Sequence, residues 1–281
     1  MAVIGAGTMG HGIAQVAAMA GYRVALVDMT TERAASGLER IRENLQGGVQ
    51  RGKVTAEARD GALARISASD DLASAARSAD YVIEAVPEQL DAKIAVFLEM
   101  ERATSPDAVL ASNTSSLSIN EMQRTLKHPG RMLGLHFFNP VHINRLVEVV
   151  RGEATSAETL EKGLALVQDL GKDAIVVRDS PGFATSRLGV LLGLEAMRMV
   201  EENVASAEDI DRAMELGYRH PMGPLRLTDL VGLDVRLDVA RYLHEKLGHE
   251  RFEPPRILER MVAEGKLGKK TGEGFYRWDV S

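Results

Sequence analysis

The chain opens on a short apolar run, Ala2-Val3-Ile4, that passes at once into Gly5-Ala6-Gly7-Thr8-Met9-Gly10. A helical apolar pattern through Ile13, Val16 and Ala17 follows, and a second apolar run, Arg23 to Val27, ends in Asp28. Strand, G-x-G-x-x-G, helix, strand and acid stand in the order and spacing of a dinucleotide-binding unit. Gly5 permits the tight turn, Gly7 lets the backbone approach a pyrophosphate, and Gly10 lets the helix pack close to the strand. Thr8 and Met9 complete the loop at the helix N-terminus, where free N–H groups and a partial positive charge favour phosphate. Asp28 is suited to accept hydrogen bonds from ribose hydroxyls, and its charge repels a 2′-phosphate, so the expected cofactor is NAD rather than NADP. A glycine-rich turn that merely joins a strand to a helix is the simpler alternative, but it leaves the acid at that spacing unexplained.

With 281 residues the chain is long enough for two domains. The net charge of −6 argues against a nucleic-acid surface. The absence of cysteine excludes disulfides, thiol nucleophiles and cysteine-based metal sites, and suits a reducing cytoplasm. No apolar run reaches the roughly 18 residues of a membrane span. The first strand begins at Met1, so no signal peptide and no membrane partner are expected.

Strand and helix patterns alternate through the first 180 residues. Expected strands lie at 66–68, 79–86, 108–111, 132–138, 146–150 and 174–177. Residues 30–61 are charged and helix-patterned, with Gly47-Gly48 as a break, and read as a helical hairpin inserted after the second strand. The fold class is therefore α/β, a Rossmann-type doubly wound sheet over residues 1–180. The pattern changes at Ser180-Pro181-Gly182. Beyond it, helices are expected over 184–202, 206–216, 227–247 and 254–265, with Ser206 and Asp209 as an N-terminal cap. Residues 181–281 thus form an all-helical second domain.

Ligands in such sheets bind beyond the carboxyl ends of the strands. Glu88 and Lys93, the loop Ser112–Ser116, and His136 with Asn139 all fall there. His136 sits in an apolar segment, and Glu148 stands among valines in Leu-Val-Glu-Val-Val. Burying either alone is costly, whereas a His–Glu pair satisfies both and equips the imidazole to move a proton. Taken singly, each could equally be a satisfied core residue. No zinc motif is present, and no metal is expected.

Five motifs then converge. Ser112-Asn113-Thr114-Ser115-Ser116, Gly134-Leu135-His136-Phe137-Phe138-Asn139-Pro140, Leu146-Val147-Glu148-Val149, Ser180-Pro181-Gly182-Phe183 and Gly268–Tyr276 together resemble the (3S)-3-hydroxyacyl-CoA dehydrogenases, most of all the bacterial 3-hydroxybutyryl-CoA branch. The resemblance runs from Met1 to Trp278. It implies NAD-dependent oxidation of an acyl-CoA substrate, with His136 as base, Glu148 as its paired acid and Ser115 binding the substrate oxygen beside the nicotinamide. It also implies cofactor contacts from Asn139, Glu88, Lys93 and Lys270, a homodimer built by the helical domain, and a stand-alone enzyme with no attached hydratase domain. One position departs: Ser186 stands where the family usually has an asparagine that holds the substrate oxygen. Serine keeps the hydrogen-bonding capacity with shorter reach, so altered substrate positioning is expected. Arg51 and Lys53 are candidate coenzyme A phosphate partners, or simply a solvated basic turn. Two readings stay open beside this one: a dehydrogenase of a free 3-hydroxy or sugar acid, and a non-catalytic NAD-binding protein.

Overall fold

Β1 (Ala2–Ile4) is buried at all three positions, which suits a strand flanked on both sides in a parallel sheet. In the computed structural model, which describes residues 1–279, it lies within an eight-stranded sheet. The other strands are β2 (Val24–Val27), β3 (Ile66–Ser69), β4 (Tyr81–Glu84), β5 (Val109–Ser112), β6 (Met132–Phe137), β7 (Leu146–Arg151) and β8 (Asp173–Arg178). Their order is β3-β2-β1-β4-β5-β6-β7-β8, so the chain reverses direction across the sheet between β1 and β4 and leaves a crevice there. All neighbours are parallel except β6 and β7. Only residues 138–145 separate those two strands, too few for a crossover, and the hairpin forces antiparallel pairing.

The chain divides into two compact units, Met1–Ser180 and Pro181 onward. In the first, α1 (Thr8–Met19) follows the glycine loop, and α2 (Thr31–Gln50) and α3 (Ala56–Leu63) form the inserted hairpin. Thr30 and Thr55 cap the two hairpin helices through their side-chain oxygens. The expected break at Gly47-Gly48 is not found: α2 runs on to Gln50. Gly48 is instead a packing position, since a Cβ there would lie 2.9 Å from the Val54 side chain as the chain turns back. Between the later strands lie α4 (Leu72–Ala76), α5 (Leu90–Ala103), α6 (Ile119–Gln123) and α7 (Ala157–Asp169). The apolar pattern did not single out α4, α6 or α7; all three begin with side-chain caps from Asp71, Ser118 and Ser156.

The second unit is helical: α8 (Thr185–Glu201), α9 (Ala207–Tyr218), α10 (Pro224–Val231), α11 (Leu233–Leu247) and α12 (Arg256–Ala263). Ser206 caps α9 by accepting from the Asp209 N–H, as its sequence suggests. The single helix expected over 227–247 is two, because Gly232 takes φ +108°, which ends α10 and starts α11. Leu194, Met197, Leu225, Leu237 and Phe252 pack in this unit's core. Buried Asp229 ties down the tail, accepting from the Phe275 and Tyr276 N–H groups and from Trp278 Nε1, each at 2.9 Å. Val280 and Ser281, the end of the expected helical domain, lie outside the described residues. Among the described residues no helix is long and apolar enough to cross a membrane.

Candidate active site

A cleft of about 1000 Å³ opens in the first unit at the crevice beside β1 and β4. Gly5, Gly7, Thr8, Met9 and Asp28 line it. The glycines divide their labour. Gly5 adopts φ +101°, and a Cβ on Gly10 would lie 1.6 Å from the Gly5 carbonyl oxygen, so α1 can approach β1 only because Gly10 lacks a side chain. Nothing lies within 4 Å of a Cβ placed on Gly7. Gly7 caps α1 with no side-chain hydrogen bond, which leaves the first-turn N–H groups for an anion. The Asp28 carboxylate accepts from the Ala6 N–H and the Met29 N–H, both at 2.8 Å, and is thereby fixed at the end of β2. A bare loop, a helix N-terminus and an oriented acid suit the pyrophosphate and ribose of a dinucleotide.

Glu88, Lys93, Ser115, His136 and Asn139 line the same cleft. His136 and Glu148 are register partners across the antiparallel β6–β7 pair, so their side chains leave the same face of the sheet. Nδ1 of His136 lies 2.7 Å from Oε2 of Glu148, which is wholly buried; His136 is 7% exposed. Glu148 itself is not part of the cleft lining. The Phe138 ring stands 4.4 Å from the imidazole, centre to centre. Such a pair is suited to handle a proton, with the acid behind the imidazole.

Ser115 lies on the loop after β5, which Glu88 clasps. Oε1 of Glu88 accepts from Thr114 Oγ1 at 2.6 Å, the Ser115 N–H at 3.0 Å and Oγ at 3.3 Å, and the Ser116 N–H and Oγ at 3.2 and 3.1 Å. Burial pulls the Glu88 carboxyl upward, but Lys93 and these donors outweigh it and hold it below the usual carboxylate range. Lys93 is 1% exposed, with Nζ 2.6 Å from Glu84 Oε1 and 3.3 Å from Glu88 Oε2. Asn113 links the same loop to the histidine strand, its Oδ1 accepting from the Phe137 N–H at 3.0 Å.

Ser186 and Lys270 belong to the second unit. Ser186 is in the first turn of α8, and Lys270 Nζ pairs with both carboxylate oxygens of Asp234 at 2.6 and 2.5 Å. Arg51 and Lys53 lie exposed in the turn after α2. The residue that reading the sequence missed is Glu84, wholly buried at the end of β4. A signal was present: a carboxylate closing the apolar run Tyr-Val-Ile needs a buried partner, as Glu148 does.

The chain is similar to known proteins along nearly its whole length. Residues 1–180 match the family model for the NAD binding domain of 3-hydroxyacyl-CoA dehydrogenase, and residues 182–278 match its C-terminal domain. A probable 3-hydroxybutyryl-CoA dehydrogenase of Bacillus subtilis is 44% identical over 277 residues, 99% of this chain and 96% of that protein. The mitochondrial hydroxyacyl-coenzyme A dehydrogenase of Sus scrofa is 42% identical over 98% of this chain and 90% of its own. The crystal structure of (S)-3-hydroxybutyryl-CoA dehydrogenase from Ralstonia eutropha superposes with a TM-score of 0.95 at 38% identity, covering 99% of this chain and 98% of that one. With both domains matched in order and relatives of this identity over nearly the full length, the chain belongs to the 3-hydroxyacyl-CoA dehydrogenase family.

Proposed function

We propose that this protein catalyses the reversible NAD-dependent oxidation of (S)-3-hydroxyacyl-CoA to 3-oxoacyl-CoA, with short-chain thioesters such as 3-hydroxybutyryl-CoA as its substrates. The observation that carries the reading is the buried His136–Glu148 pair beside a glycine-loop cleft. Gly5, Gly7, Thr8 and Met9 form the pyrophosphate cradle, which Gly10 lets α1 close against, and Asp28 takes the ribose hydroxyls. NAD held there would supply the hydride acceptor for C3 of the substrate.

An ionised Glu148 can only accept, so it accepts a hydrogen bond from the Nδ1–H of neutral His136 and leaves Nε2 as the base for the 3-hydroxyl proton. As the imidazole gains that proton, Glu148 stabilises its charge. Ser115 holds the substrate oxygen, Asn139 and Glu88 shape the cofactor pocket, and Ser186 takes the place of the family's asparagine toward the same oxygen. Lys93 and Lys270 complete the assigned cofactor contacts, and Arg51 and Lys53 meet coenzyme A phosphates. Residues 181–281 act as the dimerising and substrate-cleft domain; the exposed Leu188, Leu216 and Tyr218 support a homodimer. The absence of cysteine supports a cytoplasmic enzyme, and the acidic balance supports one without nucleic-acid partners; a membrane partner is not part of this reading.

The test is NADH consumption, followed by absorbance, with acetoacetyl-CoA, free acetoacetate and a longer 3-oxoacyl-CoA side by side. Turnover of the short thioester, with slower turnover of the longer one and none of the free acid, is the expected result. Faster turnover of the longer thioester overturns the chain-length assignment. Turnover of the free acid alone overturns the coenzyme A assignment.

A further inference from the structure

We infer that Glu84, at the end of β4, is a positioning residue that fixes the Ser115 loop against the cofactor cleft through two separate arms. Glu84 and Ser112 are register partners on the parallel strands β4 and β5, so their side chains share one face. The first arm is direct. Ser112 Oγ donates to Glu84 Oε2 at 2.6 Å and accepts from the Thr114 N–H at 3.2 Å. The second arm runs through the buried ammonium. Glu84 Oε1 accepts from Lys93 Nζ at 2.6 Å, and Lys93 reaches Glu88 Oε2 at 3.3 Å. Glu88 Oε1 then gathers Thr114, Ser115 and Ser116.

Both arms end on the same turn of chain, and both start from one carboxylate that is wholly buried. Every oxygen of that carboxylate is engaged: Oε1 also accepts from the Val86 N–H at 2.7 Å, and so holds the loop that carries Glu88. A buried carboxylate is costly to keep: burial still holds the Glu84 carboxyl above the usual carboxylate range, and the three donors together with the Lys93 charge offset only part of that cost. Lys93 on this account aims Glu88 as well as lining the cleft. Asn113 extends the brace to β6, since its N–H donates to the Glu84 carbonyl at 2.8 Å and its Oδ1 accepts from the residue after His136. The network therefore sets Ser115 relative to His136.

This inference rests on the reading of the cleft as the NAD and thioester site, and two readouts separate the failure of one from the failure of the other. The first is ligand-free: hydrogen exchange at the Ser115 and Ser116 amides, which donate to Glu88. Glu84→Gln is expected to speed their exchange at least about tenfold while the β6 amides keep their protection. The second is NADH affinity by fluorescence for Glu84→Gln, Glu88→Gln and the pair. Each single variant is expected to bind about tenfold more weakly, and the double variant little worse than either, because they break one network. Unchanged exchange at Ser115 and Ser116 overturns the inference, whether or not any thioester is turned over. Affinity losses that multiply in the double variant, or a Glu84→Gln affinity within about twofold of wild type, overturn it as well. If Glu84→Gln does not fold, Ser112→Ala removes the direct arm alone, and the same exchange measurement and the same cycle with Glu88→Gln decide the question at about threefold per variant.

Discussion

Replacing Glu148 by glutamine keeps the shape of a wholly buried side chain and removes its charge. The partner is His136 Nδ1 at 2.7 Å, so the charge centres of carboxylate and imidazolium are roughly 4 Å apart, where a full ion pair at an effective dielectric of 20 is worth about 4 kcal/mol. The amide still accepts the Nδ1 proton, and a neutral acceptor recovers about half the strength of a charged one. About 2–3 kcal/mol of transition-state stabilisation is then lost, or roughly a 30- to 150-fold fall in kcat. Removing the base itself, in His136→Gln, should cost about 10²–10⁴. Adding Glu148→Gln to His136→Gln should cost little more in kcat, because the acid acts on the proton transfer through the histidine. The assay is acetoacetyl-CoA reduction and 3-hydroxybutyryl-CoA oxidation, and kcat/KM should fall by the same factor in both directions. NADH affinity should stay within about twofold, since Glu148 does not line the cleft. A Glu148→Gln enzyme with kcat within threefold of wild type refutes the role of the carboxylate. So does a loss of rate matched by an equal loss of NADH affinity, which marks damage to the pocket.

The two glycines should separate stability from binding. Gly10→Ala drives a Cβ to within 1.6 Å of backbone and should cost about 3 kcal/mol or more, whereas Gly7→Ala meets nothing, should melt within about 2 °C of wild type, and should still bind NADH more weakly. A Gly10→Ala protein with wild-type Tm contradicts this. Because the Glu88 carboxyl is held below its ordinary range, its stabilising contribution is present above that range and lost only as pH falls through the lowered value. The Tm gap between wild type and Glu88→Gln should thus persist down to about pH 4.3 and close below it; a gap already closed near about pH 5.5 reverses the sign. Arg236 is 8% exposed, its Nε has no hydrogen-bond partner, and burial lowers its guanidinium to about 10. Arg236→Met should leave thermal stability equal or raise it by up to about 2 kcal/mol, and a loss above about 1 kcal/mol shows that the charge finds a partner in the assembled protein. Ser186→Ala should raise KM for the thioester more than it lowers kcat, and unchanged values of both remove Ser186 from the site.

What the sequence made legible depended on whether a residue's signal was local. Gly5, Gly7, Gly10 and Asp28 are confined to one strand–turn–helix–strand unit, so their spacing already carries their geometry. His136 and Glu148 stood out because each breaks an apolar strand. Their contact depends on β6 and β7 running antiparallel, which the short connection over 138–145 dictates. The break predicted at Gly47-Gly48 failed because a glycine within a helix was read for its backbone freedom, when Gly48 is there for the room it leaves to Val54. The helix drawn through Gly232 failed in the opposite way, since there the backbone freedom was decisive.

Glu84 shows why a buried ion network resists reading from sequence. Glu88 and Lys93 were legible as polar residues past a strand end, where ligands bind, and were assigned to the ligand. Glu84 closes β4 four residues before Glu88, and its partners Lys93 and Ser112 come from α5 and β5. Neither partner is predictable from the local pattern: sheet register places Ser112 opposite Glu84, and Lys93 reaches it from α5. A carboxylate so placed cannot be there for solubility, and its cost is recovered only if the donors around it are worth ordering. Here those donors are Lys93, Ser112 and the Val86 N–H, and the first two lead on to the loop that carries Ser115. The same physical test that flagged Glu148, a charge in an apolar strand that must have found a partner, applies to Glu84, and it turns a strand-terminal glutamate into the brace of the site.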